Sequence, residues 1–216
     1  MAQRPVFVPF KRPPFVDAYP VEFTWSGGMA VSQKQKNITA QHAAFTARFP
    51  ERRVLDISSK SLQEEGVQLS AFNLPLTVPS LGRQVPVECV YQGGKVFAAG
   101  GPYTDLYTAS PKDAKRDGRL QSSGMLRSFF FEGESIPAQP ATAFYTWLYL
   151  RALMENEALA EQLMAYDAFT DIEFNPNRGV SCQASAAAVY VSLTRQGLLE
   201  QCRTFQGFYQ LLRKKL

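Results

Sequence analysis

The 216-residue sequence has a single histidine, His42, and only three cysteines, Cys89, Cys182 and Cys202. One histidine rules out a metal centre built from several imidazoles. Three scattered cysteines without a CxxC pair are a poor substitute, so no metal site is expected. The odd cysteine count also argues against a disulfide framework and suits a reducing, cytoplasmic location. No apolar run approaches the roughly 18 residues that span a bilayer, and no membrane partner is expected. Met1 to Pro14 carries Arg4, Lys11 and Arg12 but lacks the continuous apolar stretch of a secretory signal. A Ser-His-Asp triad would have to use His42. Any acid, base or nucleophile is therefore expected among carboxylates, lysines and tyrosines.

What is present is ordinary for a globular chain: 45% hydrophobic, 12% aromatic and 19% charged residues. The length suits one domain over 1–216, with 1–20, rich in proline and aromatics, as an extended N-terminal segment. The net charge of +4 is unevenly spread. Lys112, Lys115, Arg116, Arg119 and Arg127 crowd one stretch against Asp113 and Asp117. Such a patch can hold phosphates, or it can be a solvated loop.

Patterning predicts strands at Val21–Trp25, Arg53–Ile57 and Met125–Phe131, and a loop or edge hairpin over 74–86. Helices are expected over roughly 33–48, 87–97, 142–154, 157–166, 182–196 and 198–213, the fifth stopped by Gly197. In the last, Leu198, Cys202, Phe205, Tyr209 and Leu212 recur as a buried stripe. Arg213, Lys214 and Lys215 sit where a helix dipole favours cations. The fold class expected is α+β, mostly helical with short strands.

The segment Val87–Phe97 carries the most chemistry. On one continuous helix, Glu88, Tyr91, Gln92 and Lys95 stand at i, i+3, i+4 and i+7 and share a face. That face would hold an acid, a phenol, an amide and an amine. Gly93 and Gly94 within it each cost about 1 kcal/mol relative to alanine, which a close backbone or a ligand must offset. The alternative is a surface face with a Glu–Lys attraction and glycines that end the helix.

This segment resembles the signature helix of the NADAR superfamily, in which a Glu opens a helix and a Lys follows seven residues on with Gln between. Leu69-Ser70-Ala71-Phe72-Asn73 resembles its upstream Ser-Asn-Phe motif, with Ala71 where Asn is usual. Trp147–Leu163 and Phe169-Thr170-Asp171-Ile172-Glu173 are similar to its late helix pair and closing acidic motif, with Phe174-Asn175-Pro176 replacing the usual Trp-Gly. Within that superfamily the chain resembles the antitoxins encoded beside DarT-type DNA ADP-ribosyltransferases. The similar stretches are Ser32–Ile38, Ile57–Ser61, Gly101–Tyr107, Ala168–Pro176 and Cys182–Ala184.

The resemblance implies a metal-independent glycosidase, without a cofactor, that removes ADP-ribose from guanine in DNA. Its partners would be ADP-ribosylated DNA, single-stranded or with the base flipped out, ADP-ribose as product, and a cognate DarT-type toxin. Lys95 would be the nucleophile that passes through a Schiff base, and Glu88 the proton shuttle. For that, burial must depress the Lys95 pKa, or Glu88 must take its proton. The substrate-binding candidates are Ser70, Phe72, Asn73, Tyr91, Gln92, Tyr103, Asp105, Tyr107, Asp171, Glu173 and Lys60. Tyr103 and Tyr107 offer stacking faces, Asp105 a ribose acceptor, and Ser58-Ser59-Lys60 a pyrophosphate grip. Polar turns and half-exposed tyrosines are the alternative. Lys34, Lys36, Lys115, Arg116 and Arg119 are the nucleic-acid candidates; Lys34 and Lys36 occupy a helical first turn, where the dipole disfavours cations. Trp25, Trp147 and Cys89 read as packing residues. An N-glycosidase acting on a small riboside, or a non-catalytic ADP-ribose-binding module, is the rival function.

Overall fold

Val6 and Val8 alternate with Phe7, and a strand sends alternate side chains to opposite faces. In the computed structural model, which describes residues 1–177 and 179–214, this alternation builds the largest sheet. β1 (Ala2–Pro9) pairs antiparallel with β2 (Val16–Phe23), in register from Ala2 opposite Phe23 to Pro9 opposite Val16. α1 (Val31–Thr46), β3 (Val54–Asp56) and α2 (Glu64–Gln68) follow. β4 (Pro75–Val78) and β5 (Arg83–Pro86) form a separate hairpin. α3 (Val87–Gly93) then leads through Gly94 into β6 (Lys95–Phe97). α4 (Pro111–Arg116) and α5 (Arg119–Ser122) precede β7 (Leu126–Phe131) and β8 (Glu134–Pro137). The last elements are α6 (Ala143–Glu155), α7 (Glu157–Leu163), β9 (Ala168–Thr170), α8 (Gln183–Arg195) and α9 (Phe205–Arg213).

The main sheet has the order β2-β1-β9-β3, with β3 and β9 parallel. On one face Val6, Val8, Val21 and Ala168 pack with Phe45 of α1. On the other, Phe7, Leu55 and Phe169 join the principal core. α6 lies within that core and is apolar on nearly every face, as a buried helix must be. Ala184, Ala186, Ala187 and Ala188 of α8 are fully buried, and side chains this small allow close helix packing.

Among the described residues helix accounts for 44% and strand for 21%, in three sheets, so the expectation of a mostly helical fold is corrected to a mixed α+β one. The strands escape a periodicity reading for physical reasons. The N-terminal segment, expected to be merely extended, supplies β1 and most of β2, because its prolines sit where the hairpin tolerates them. β6 has only three residues and lies inside the segment expected to continue as a helix. The helix expected over 198–213 is broken: a 3-10 turn at Leu199–Arg203 ends at Thr204, which restarts the chain as α9 by accepting the Gly207 N–H at 3.1 Å. The buried stripe of α9 is therefore Phe205, Phe208 and Leu211, with Tyr209 and Leu212 only partly covered. Gly197, left-handed at φ 67°, follows α8 as expected. Lys215 lies outside the described residues, as do Arg178 and Leu216.

Where α3 meets β6 there is no room for a side chain. A Cβ on Gly93 would lie 2.6 Å from Tyr107 Cε1 and 2.9 Å from the Tyr103 carbonyl; one on Gly94 would lie 2.8 Å from the Phe130 carbonyl. These glycines do meet the close backbone that their cost in a helix demanded, and they stand at the helix's end, Gly93 as its last residue and Gly94 as its C-cap, rather than in its middle. Gly94→Ala is expected to destabilise the fold by about 1–3 kcal/mol, the scale of overpacking. Gly27→Ala, with nothing within 4 Å of the new methyl, should stay within about 0.5 kcal/mol. Urea unfolding of the two variants measures the difference.

Candidate active site

The site grows from the first turn of α3. Its leading N–H groups are held by the turn before β4: Val87 donates to the Leu74 carbonyl at 3.0 Å and Glu88 to the Ala71 carbonyl at 2.9 Å. That turn is pinned by Gln183 at the start of α8. Its amide accepts the Ala71 N–H at 2.7 Å and donates to the Ile57 carbonyl at 2.7 Å. Tyr149 of α6 adds a bond to the Leu69 carbonyl at 2.7 Å. One turn, two helices and the end of β3 thereby orient Glu88.

The side chains then form a chain of hydrogen bonds. Lys95 Nζ donates to Gln92 Oε1 at 2.6 Å, and Gln92 Nε2 donates to Glu88 Oε1 at 2.9 Å. Glu88 is 4% exposed and Gln92 6%. The Lys95 amine also lies 4.6 Å from the centre of the Tyr91 ring. All four expected residues are together, although the helical i, i+7 relation of Glu88 and Lys95 is overturned. α3 stops at Gly93, and Lys95 sits opposite Phe129 in a sheet. The reversal returns its side chain to the helix face that a longer helix would have carried it along. Burial draws the Lys95 pKa down to about 8; the Glu88 charge opposes this and the Lys115 charge adds to it.

Lys115 of α4 reaches Glu88 Oε1 at 3.6 Å and lies 5.2 Å from the centre of the Phe72 ring. On the far side of Tyr91, its hydroxyl meets Ser181 Oγ at 3.3 Å, and the neighbouring Cys182 thiol approaches Asp171 Oδ2 at 3.8 Å. Asp171 Oδ1 accepts the N–H groups of Glu173 and Phe174 at 3.0 and 3.1 Å. Loss of solvent, aided by the Asp56 charge, raises its pKa to about 8. Asp56 itself is fully buried and accepts bonds from Ser58 Oγ, Thr170 Oγ1 and the Ile172 N–H at 2.6, 3.0 and 3.0 Å. His42 caps this network at Thr170 Oγ1, 2.9 Å away, with its pKa lowered to about 4 by burial.

Other expected residues are placed differently. Ser70 is buried and accepts the Phe72 N–H at 3.4 Å, while Asn73 folds back onto the Val67 carbonyl at 2.9 Å. Tyr107 is 5% exposed and packs beneath Gly93. Tyr103 bonds Ser123 and carries the Arg119 guanidinium 4.4 Å above its ring. Arg119 is also tied to Asp105 and Asp117, at 2.7 and 2.9 Å. Glu173 pairs with Lys34 at 3.1 Å, which gives that first-turn cation a protein partner. Lys60 Nζ donates to Ser59 Oγ at 3.1 Å at the end of β3. Lys36 and Arg116 are exposed. Trp147 is buried as expected, and Trp25 is half-buried.

Tyr145 went unread in the sequence. It is 5% exposed, edge-on to Tyr91 at 5.0 Å, and no hydrogen bond among the described residues engages its hydroxyl. Burial raises its pKa well above the ordinary value, and the charges of Glu88 and Asp171 add to that. Amid Phe144, Trp147 and Tyr149 it reads as core, so no sequence signal separated it. Asp56 did have a signal: a carboxylate between Leu55 and Ile57 in an apolar strand must be buried and hydrogen-bonded. Among the described residues, no group of three or more His, Cys, Asp or Glu could hold a metal ion, and no helix is long and apolar enough to cross a membrane.

The model of the family described as DarT1-associated NADAR antitoxin matches residues 2–216. The chain belongs to that family. No curated protein matches it. As a NADAR antitoxin it is paired with a toxin of the DarT type. The match spans all the elements above, including the N-terminal hairpin and the whole Glu88–Gln92–Lys95 chain.

The lowered pKa of Lys95 has a direct readout. Competitive acetylation of the antitoxin, followed by mass spectrometry across pH, should show Lys95 reactivity rising with a midpoint near 8. A midpoint in the ordinary lysine range would mean that the amine is not desolvated.

Proposed function

We propose that this antitoxin is a glycosidase that removes ADP-ribose from guanine bases in DNA, reversing its toxin's modification. The observation that carries the reading is the placement of the Lys95 amine and the Glu88 carboxylate on the two ends of one buried amide, Gln92. An amine with a lowered pKa beside a carboxylate is a pairing suited to covalent glycosyl transfer.

The chemistry balances with these groups alone. The Lys95 ammonium, its pKa lowered by burial, first gives a proton to water. The neutral amine attacks the anomeric carbon, a C–N bond to Lys95 forms, and the bond to the base nitrogen breaks. Glu88 relays the extra proton of the new ammonium adduct to the departing guanine. The Lys95 nitrogen then expels the ring oxygen, which takes the adduct's remaining N–H proton by way of Glu88, leaving a Schiff base. Water hydrolyses it, releasing ADP-ribose and restoring the amine. A carboxylate close by stabilises the oxocarbenium-like transition state.

Binding groups for the substrate are the Tyr91 ring beside the Lys95 amine, the Phe72 ring beside Lys115, the Tyr145 hydroxyl and Asp171. The exposed cations Lys112 and Arg116, on the same short helix as Lys115, supply attraction for a DNA backbone. ADP-ribose is itself the binding handle, so the reading invokes no cofactor.

Borohydride reduction during turnover on ADP-ribosylated DNA is expected to leave the sugar on Lys95, read by mass spectrometry. Lys95→Ala should abolish turnover, and Glu88→Gln should lower it by about 10²–10⁴-fold. Full protection of cells by Lys95→Ala would instead mark a non-catalytic binder. The double change Lys112→Glu, Arg116→Glu should impair action on modified DNA and spare a free ADP-ribosylated nucleoside. Equal activity on both substrates, unaffected by the charge change, would favour a small riboside as the natural substrate.

A further inference from the structure

Two lysines lie within range of Glu88, and the structure divides its charge between them unequally. Lys115 places its ammonium 3.6 Å from Glu88 Oε1, the oxygen that also accepts the Gln92 amide. Lys95 instead rests on Gln92 Oε1 and the Tyr91 ring, and among the described residues it makes no direct ion pair. The Lys115 side chain is 59% exposed, yet its head is located between the carboxylate and the Phe72 ring.

We propose that Lys115 is a positioning residue of this reaction: it acts as the counter-ion of Glu88, so that the carboxylate does not close on Lys95 and the amine can give up its proton. The inference rests on the glycosidase reading above. Its physical basis is that an ammonium paired with a carboxylate holds its proton, whereas one facing a second cation sheds it. The buried amide of Gln92 keeps Lys95 and Glu88 in one network without letting them meet as an ion pair. Lys115 then neutralises the remaining carboxylate charge. Burial does most to lower the Lys95 pKa, and the Lys115 charge works in the same direction.

Other charged or titratable groups face this cluster. Tyr91 and Cys89 lie on α3, Tyr145 on α6 and Asp171 just past β9, while β7 contributes the apolar Phe129. The phenols and the thiol are all shifted upward, away from the working range. Asp171 titrates near Lys95 and also feels Lys115, so removing that cation raises both groups.

The test compares Lys115→Met and Lys115→Arg with Lys11→Met, a change at an exposed lysine given no part in the site. Acetylation of Lys95 in the free protein reads the division of charge without reference to catalysis. The pH dependence of kcat/KM on ADP-ribosylated DNA reads its consequence. Lys115→Met should move both the labelling midpoint and the rising limb of activity upward by about one pH unit, a loss of about tenfold at pH 7 that recovers at higher pH. Lys115→Arg and Lys11→Met should keep the wild-type midpoint. An unchanged Lys95 midpoint in Lys115→Met, or a loss of activity equal at every pH, overturns the proposal even where borohydride still traps Lys95. Absence of any trapped sugar in the wild-type protein would instead remove the glycosidase reading beneath it.

Discussion

The contact between Gly93–Gly94 and the chain around it is the constraint on which the site depends. Gly93 lies against the Tyr107 ring and accepts the Tyr103 N–H at 2.7 Å, and Gly94 accepts the Phe130 N–H at 2.7 Å. The carbonyls that would have continued a helix are thus spent on a loop and a sheet. A helix that ends there and returns as a strand brings Lys95 back beside the residues it has just passed. The same contact seats Tyr107 in the core. No side chain larger than hydrogen fits without moving backbone, and backbone is the part of a packed interior that gives least.

Around that reversal, polar groups hold apolar layers in register. Gln183 ties the end of the main sheet to the turn before β4, and that turn holds the start of α3. Asp56 uses both carboxylate oxygens to fasten Ser58, Thr170 and Ile172 across the parallel pair of strands. Its pKa is raised to about 6 by burial in spite of these bonds. Buried polar networks of this kind are costly when any partner is missing. They are therefore strong determinants of one arrangement, and here they converge on the elements that present Glu88, Lys95 and Asp171.

Much of the site was legible in one dimension because its chemistry is local. Glu88, Tyr91, Gln92 and Lys95 lie within eight positions of one another in the chain, and either a helix or a helix-and-turn gathers them. The element type was misread because three residues of strand inside an otherwise helical pattern leave no periodicity. The late acidic motif was legible as well, but Glu173 turned out to be tied to Lys34 from α1. Tyr145 stayed hidden because burial of a phenol among aromatics looks the same in sequence whether its hydroxyl faces packing or a site. Asp105 and Arg119, read as separate binding groups, neutralise one another.

The sequence by itself determined the chemical inventory: no imidazole cluster, one concentrated acid–amide–amine segment, a basic stretch beside it and a membership spanning residues 2–216. Tertiary structure decided which charges meet. The choice of Lys115 over Lys95 as the ion-pair partner of Glu88, and the burial that lowers the Lys95 pKa, both arise between elements distant in the chain. Composition cannot encode them, because Coulomb and desolvation energies depend on distance and surroundings in space rather than on separation along a backbone.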